Sequence, residues 1–372
     1  WAVRRAIIVV ILSGMCAACS SGSGASGMLP QTPPGGAPPP VSSAPSPSPT
    51  PGPTFNPASV HITEYAAAAT PQYVGAAPDG SVYFGFGSNG TGSNLYRYSG
   101  GSSTQTSPAA PPNGFDPGGG VYGITVTQSQ VYWLSAYGGP GFAPLVTVEC
   151  GGAGNATLCG PTVDQPTSIV IDAGGTMWVG GSGFNGQGEI ATSTQATGQF
   201  PGAIVQLVLG PGGNVWGVLQ NPTNYQIAQF ALVNGSVAIT QAFALPSGEA
   251  AGSMTYGGDG ALWFTDHERG AIGRMDRAGN FSEFPLPASG GLGLPWFGLW
   301  QIATACDGAV WFTEPNANAI GRIDAKGAIH EFPVLSANSY PDAIAATGAS
   351  TCKQPELWFG EQNSNKIAAV AF

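Results

Sequence analysis

From about residue 60 onward, apolar residues come in short runs that alternate with polar ones, and Asp-Gly, Gly-Gly or Asn-Gly pairs break the runs. A period of two predicts strands, because successive side chains of a strand point to opposite faces, and those dipeptides accept the backbone angles of tight turns. No stretch sustains a 3.6-residue period over the length of a helix. The expected class is all-β.

The strands recur in units. Asp259-Gly-Ala-Leu-Trp-Phe-Thr-Asp266, Ala271-Ile-Gly-Arg-Met-Asp276 and Phe281-Ser-Glu-Phe-Pro285 are matched by Asp307-Gly-Ala-Val-Trp-Phe-Thr-Glu314, Ala319-Ile-Gly-Arg-Ile-Asp324 and Ile329-His-Glu-Phe-Pro333. An aromatic anchor after a turn recurs at Tyr83, Tyr132, Trp178, Trp216, Trp263, Trp311 and Trp358, with gaps of 49, 46, 38, 47, 48 and 47 residues. Repeats of this length built from short strands predict propeller blades, here seven. Within a unit, Ile302 to Thr304 is the innermost strand, Ala309 to Thr313 the second, Ile320 to Asp324 the third and Ile329 to Pro333 the outermost. The segment Lys366 to Phe372 aligns with a third strand and His61 to Tyr65 with a fourth. The N-terminal strand is therefore expected to complete the last blade, closing a seven-bladed β-propeller over residues 58–372 and leaving no open sheet edge.

Charge narrows the partners. With 10 Lys and Arg against 20 Asp and Glu the formal net charge is -10, which excludes a nucleic-acid binder because phosphate is repelled and there is no basic stripe. Only 8% of residues are charged, yet 42% are hydrophobic and 9 are Trp, which is enough for a core. Arg4 and Arg5 precede an apolar run from Ala6 to Met15, the pattern of an export signal. The run ends at Cys16-Ala-Ala-Cys19-Ser-Ser21, which resembles a bacterial lipobox with Cys19 as the lipidated residue, although Cys16 stands where Leu is usual. Residues 1–19 are thus expected to be a signal and residues 20–57, rich in Ser, Gly and Pro without one charge, a tether. The expected location is extracytoplasmic, with the chain anchored by lipid to an envelope membrane.

The Trp-Phe-Thr-Asp/Glu, Ile-Gly-Arg and Glu-Phe-Pro segments resemble the repeat of the virginiamycin B lyase (streptogramin lyase) family, most closely in blades five to seven. The resemblance implies a seven-bladed propeller and a magnesium-assisted elimination that linearises a cyclic depsipeptide antibiotic. It also implies a catalytic His in a Pro-His-Gly-Ile segment opening the inner strand of the last blade. The corresponding segment here is Pro341-Asp-Ala-Ile344, with Asp342 in place of that His. The preceding blade offers Trp300 at its equivalent position, and Gln72, Tyr122, Thr167, Val205 and Gly252 occupy it in the others. This ring at the channel mouth has no imidazole. A solvated Asp is a poor base at neutral pH, so Asp342 serves only if burial raises its pKa by several units.

Other candidates surround that ring. His61 and His330 fall on outermost strands and are expected to face solvent, whereas His267 follows a second strand on the channel face. Asp266, Glu314 and Glu361 occupy equivalent positions there, and an oxygen ring of this kind suits magnesium or calcium. Repetition by blade equally suits loop packing. Trp296 and Trp300 could stack on a sugar or apolar ring, and with Gln72, Tyr122 and Asp342 they form the expected ligand-binding set. Gly85 to Gly90 and Gly181 to Gly186 fit a dinucleotide fingerprint, but no helix follows to supply the dipole. In an exported chain, Cys150 with Cys159 and Cys306 with Cys352 are expected to form disulfides. The expected function is a scaffold binding a small molecule, glycan or protein. The alternatives are a metal-dependent lyase or lactonase-type hydrolase working from Asp342, His267 or Glu361, and a purely structural envelope protein.

Overall fold

The computed structural model describes residues 55–86, 95–105, 121–127, 130–137, 145–152, 155–158, 160–161, 163–182, 186–221, 224–246, 249–287, 301–347 and 355–372. The signal with Cys19, the tether up to residue 54, and Cys159, Trp296, Trp300 and Cys352 lie outside these residues.

Seven antiparallel sheets follow one another along the chain. Blade one holds β2 (Tyr73–Ala76), β3 (Val82–Gly85), β4 (Leu95–Ser99) and β5 (Ser102–Gln105). Blade two holds β6 (Val121–Val126), β7 (Val131–Tyr137), β8 (Leu145–Gly152), β9 (Asn155–Leu158) and β10 (Val163–Asp164). Blade three runs through β11 (Pro166–Ile171), β12 (Met177–Ser182), β13 (Gly188–Thr192) and β14 (Thr197–Phe200). Blade four runs through β15 (Ala203–Leu209), β16 (Val215–Gln220), β17 (Tyr225–Val233) and β18 (Ser236–Ala244). Blade five comprises β19 (Ala251–Tyr256), β20 (Leu262–Asp266), β21 (Ala271–Met275) and β22 (Phe281–Pro285). Blade six comprises β23 (Ile302–Thr304), β24 (Val310–Glu314), β25 (Ala319–Ile323) and β26 (Ile329–Pro333), within a residue or two of the expected strands. Blade seven takes β27 (Pro341–Ala346), β28 (Leu357–Glu361) and β29 (Lys366–Ala371), and its outer strand is β1 (His61–Ala66), paired antiparallel from His61↔Ala371 to Ala66↔Lys366. Each inner strand touches the next, and β27 touches β2, so the ring closes. Blade two departs from the simple pattern, because β8 and β9 pair as a hairpin where a short loop between Cys150 and Cys159 was expected.

The repeated motif is explained by packing. Asp259 accepts hydrogen bonds from the Ala261 amide and the Trp263 indole, both at 3.1 Å, which fixes the turn into β20. Arg274 Nε donates to the same carboxylate at 2.8 Å, and its guanidinium lies 5.5 Å from the Trp263 ring. Arg322 repeats this on Asp307 at 2.7 Å and sits 3.6 Å over Phe55. The Gly between Ile and Arg is steric: a Cβ at Gly273 would stand 2.1 Å from the Phe264 ring, and one at Gly321 2.2 Å from Phe312. Trp311, fully buried, stacks between Phe332 at 5.5 Å and Phe372 at 5.1 Å, joining blade six to blade seven. Burying aromatic rings between blades is the main apolar contribution to the fold.

Candidate functional site at the channel mouth

The inner strands carry a recurring irregularity. Register slips between Val121 and Gly123, Pro166 and Ser168, Ile204 and Gln206, Ala251 and Met254, and Pro341 and Ile344. Tyr122, Thr167, Val205, Gly252 and Asp342 therefore all sit in bulges, which take a residue out of the ladder and re-aim it. Gln72 stands just before β2, its amide donating to the Gly85 carbonyl at 2.9 Å. The ring inferred from sequence alignment is thus a structural ring as far as it is described, with the Tyr122 side chain and all of Trp296 and Trp300 outside the described residues.

Hydrogen bonds stitch this rim from blade to blade. Thr167 Oγ1 donates to the Ile204 carbonyl at 2.7 Å, the Ile302 amide donates to Ser253 Oγ at 3.3 Å, and the Ile344 amide donates to Gln301 Oε1 at 3.4 Å. Thr313 Oγ1 donates to the Asp342 carbonyl at 2.6 Å, which fixes the backbone that presents the Asp342 carboxyl. That carboxyl makes no hydrogen bond to a described residue, and burial pushes it up to about 7. The condition under which Asp342 could serve as a base is a pKa raised by burial, and burial does raise it, because taking an unpaired carboxylate out of water disfavours its charge. Tyr340, two residues earlier, is held at φ 58, a rare conformation for a bulky residue, and Gln165 before Pro166-Thr167 repeats it at φ 44. Tyr340 is not legible from sequence, because nothing in a Tyr-Pro pair signals positive φ; burial, with the Asp342 charge beside it, raises its phenol.

His267 reaches the rim. A Cβ on Gly252 would lie 3.5 Å from its Nδ1, and its ring sits 6.4 Å from that of Tyr225 in blade four. His61 is exposed on β1, but His330 is only partly exposed on β26 and packs 5.7 Å from the Phe55 ring, so it is no free surface residue.

The acidic set behaves differently from a metal ring. Asp266, Glu314 and Glu361 end second strands and are buried, not placed in solvated loops. Asp266 Oδ1 accepts the amides of Ala250, Glu268 and Arg269 at 3.0 to 3.2 Å, so it caps its own turn. Glu361 Oε2 accepts from Ser364 Oγ at 3.0 Å. Glu314 folds over Gly321 beside Phe312, Oε1 lying 2.8 Å from where a Cβ would be, and neither oxygen has a partner. Burial, then the nearby Glu331 charge, pushes Glu314 up to about 8. Burial also raises Asp266 and Glu361. Asp266, Glu314 and Glu361 each keep an orphaned oxygen that would accept a cation singly, but Asp266 and Glu361 bond within their own turns and Glu314 folds over Gly321. Among the described residues, no three His, Cys, Asp or Glu side chains group to hold a metal. The expected magnesium or calcium set of Asp266, Glu314 and Glu361 is not brought together, and no step is routed through a metal.

Sequence reading missed the partners of these acids. The Glu of each outer strand faces the same third-strand position: Gly273↔Glu283, Gly321↔Glu331 and Ala368↔Glu64. In blade five Arg269 bonds Glu283 at 2.7 Å, and in blade seven Lys366 bonds Glu64 at 2.7 Å. Burial would raise Glu64, but Lys366 and Ser336 hydrogen bonds outweigh it and hold the carboxyl below the usual range. In blade six the residue at the place of Arg269 is Ala317, and residues 285–306 contain no Lys, Arg or His. The repeated Glu-Phe-Pro signature was the available signal, hidden because the pairing is across strands.

Cys306 is disulfide-bonded, while its expected partner Cys352 lies outside the described residues; for Cys150 only the backbone is described.

Residues 114–372 match the virginiamycin B lyase family. The chain belongs to that family. Among solved structures, virginiamycin B lyase from Staphylococcus aureus is similar at 19% identity, covering 84% of this chain and 99% of its own, with a TM-score of 0.61. A streptogramin B lyase is similar at 21% identity over 84% of this chain and 97% of its own, also at 0.61. A catalytically inactive His-to-Ala variant of the Staphylococcus aureus lyase with quinupristin is similar at 20% identity over 84% and 99%, at 0.60. No curated protein sequence matches. At these identities the likeness shows the virginiamycin B lyase fold, and the chemistry must be read from this chain's own rim.

Proposed function

We propose that this protein is a ligand-binding propeller of the virginiamycin B lyase family and not an antibiotic lyase. The observation carrying the proposal is Asp342. At the bulge where the family resemblance expects a basic imidazole, the chain presents a carboxyl with no hydrogen-bonding or charged partner among the described residues. The inactive relative described above carries a single His-to-Ala change, and this chain has Asp342 where the family resemblance expects a His. Gln72, Thr167 and Asp342 would contribute hydrogen-bonding groups to a small molecule, glycan or exposed protein loop, with His267 at the edge. We place the protein outside the cytoplasm, tethered by residues 20–57 from a lipid on Cys19. A Cys19→Ala variant is expected to leave the membrane fraction for the soluble one, and its retention with membranes would remove the anchor.

A second reading is favoured by one feature. A carboxyl pushed to about 7 is half-ionised near neutrality and suits proton abstraction. The two readings separate on incubation of the full chain with quinupristin, with and without magnesium. Ring opening at the uncatalysed rate is expected. Catalysed opening that rises with pH around 7 and disappears in Asp342→Asn would make the enzyme reading correct.

A further inference from the structure

On the face opposite the channel mouth, where the turns into β16, β20 and β22 lie, a cavity of about 300 Å³ opens between blades four and five. Its floor is apolar, with Trp216, Phe243, Leu262 and Met275, and its rim carries Tyr256 and Arg277. The same wedge is tight at the next two interfaces. Trp263 stacks on Phe284 and Trp311 on Phe332 with centroids 5.5 Å apart, whereas Trp216 and Phe243 stand 6.3 Å apart. Tyr256 replaces Thr304 and Ala346 of the equivalent inner-strand positions, and Arg277 replaces Ala325. The wider Trp216–Phe243 spacing and the Tyr256 and Arg277 side chains set this groove apart from the two interfaces that follow it.

The polar groups at the rim are unspent. Arg277 forms no ion pair with a described residue, and the one hydrogen bond of its side chain is Nε to the Gly260 carbonyl at 3.4 Å. The neighbouring Asp276 lines the same cavity and is held ionised by Asn280 Nδ2 at 2.9 Å and by the amides of Ala278 and Asn280, without an ion pair to Arg277 among the described residues. The Tyr256 hydroxyl is half-buried without a hydrogen bond to a described residue, and burial pushes it up to about 12 against the opposing effect of Arg277. A second cavity of about 310 Å³ shares Gly260, Asp276 and Arg277, so the guanidinium is reachable from both sides.

We infer that this interblade groove binds a small organic anion with a flat apolar body, of the aromatic carboxylate class. Its ring lies between Trp216, Phe243 and Tyr256, its carboxylate pairs with Arg277, and the Tyr256 hydroxyl donates to it. The inference is independent of the reading of the channel mouth. The test is calorimetric titration of the full chain with indole-3-acetate, its neutral amide indole-3-acetamide, and acetate. Saturable binding of the acid is expected, with the amide about tenfold weaker and acetate not bound, since the charge-assisted hydrogen bond to the Arg277 guanidinium is lost in the amide. Arg277→Met is expected to bring the acid down to the affinity of the amide while leaving the amide unchanged. Absence of saturable binding by the acid, equal affinity for acid and amide, or an acid affinity unmoved in Arg277→Met would each overturn the inference.

Discussion

Deleting residues 1–66 is expected to open the ring and lower the melting temperature by about 10 °C or more, or to leave an aggregating chain. The deletion strips β29 of its whole partner ladder, from His61↔Ala371 to Ala66↔Lys366. It also removes the Glu64 carboxylate, which accepts from Lys366 Nζ at 2.7 Å and from the Ser336 amide at 2.6 Å, and the Phe55 ring on which Arg322 rests. Lys366 and the blade-six loop then lose a buried charged partner, and β29 becomes an exposed edge able to pair with another chain. Losing roughly 5 kcal/mol at ~2 °C per kcal/mol for a domain of this size gives the stated shift. A circular permutant that carries residues 55–66 behind Phe372 on a short linker should recover the melting temperature, because closure depends on the ladder and not on chain order. Calorimetric scans of the three proteins check this, and an unshifted transition in the deletion would show that β1 does not hold the ring together.

The second large effect concerns Glu314. Its folded-state pKa of about 8 lies above the ordinary 4.5, so between those pH values the folded chain holds a proton that the unfolded chain has released. Stability must therefore fall as pH rises through that window and level off above it. At about 1.4 kcal/mol per pH unit the fall amounts to ~5 kcal/mol at most, as for a carboxyl left buried without a partner. Glu314→Gln is expected to abolish this slope: urea midpoints at pH 5 and pH 8.5 should draw together, with the variant the more stable of the two proteins at the higher pH. Asp342 adds a slope of the same sign that ends near pH 7, so Asp342→Asn flattens only the lower part of the profile. Midpoints that stay equally far apart in Glu314→Gln would show that the carboxyl titrates normally.

Much of the fold was legible because the repeat is a packing rule written in residue types. Asp259, Gly260, Trp263, Gly273 and Arg274 hold one turn and one aromatic stack together, so their recurrence marks each blade without reference to its neighbours. The rim was legible in part for the same reason. Aligning Pro341-Asp342 with Pro166-Thr167 located the bulges, since the same local geometry recurs in each blade. The equivalent positions of Asp266, Glu314 and Glu361 suited a cation ring and loop packing equally. Sequence position at the end of a strand does not reveal whether a carboxylate turns toward the channel or back over a glycine in its own blade.

The sequence by itself thus determined the strand period, the number of units, the closing role of β1 and the place of Asp342 at the start of the last inner strand, all of which depend on residue identity and local spacing. Only the tertiary structure decided that Glu314 is buried beside Glu331, whereas Glu283 meets Arg269 and Glu64 meets Lys366. It alone decided that Asp342 is raised toward neutrality and that the wedge between blades four and five stays open beneath Arg277. Burial and cross-strand pairing are set by segments far apart in the chain, and the energy of a charge depends on what those segments leave around it.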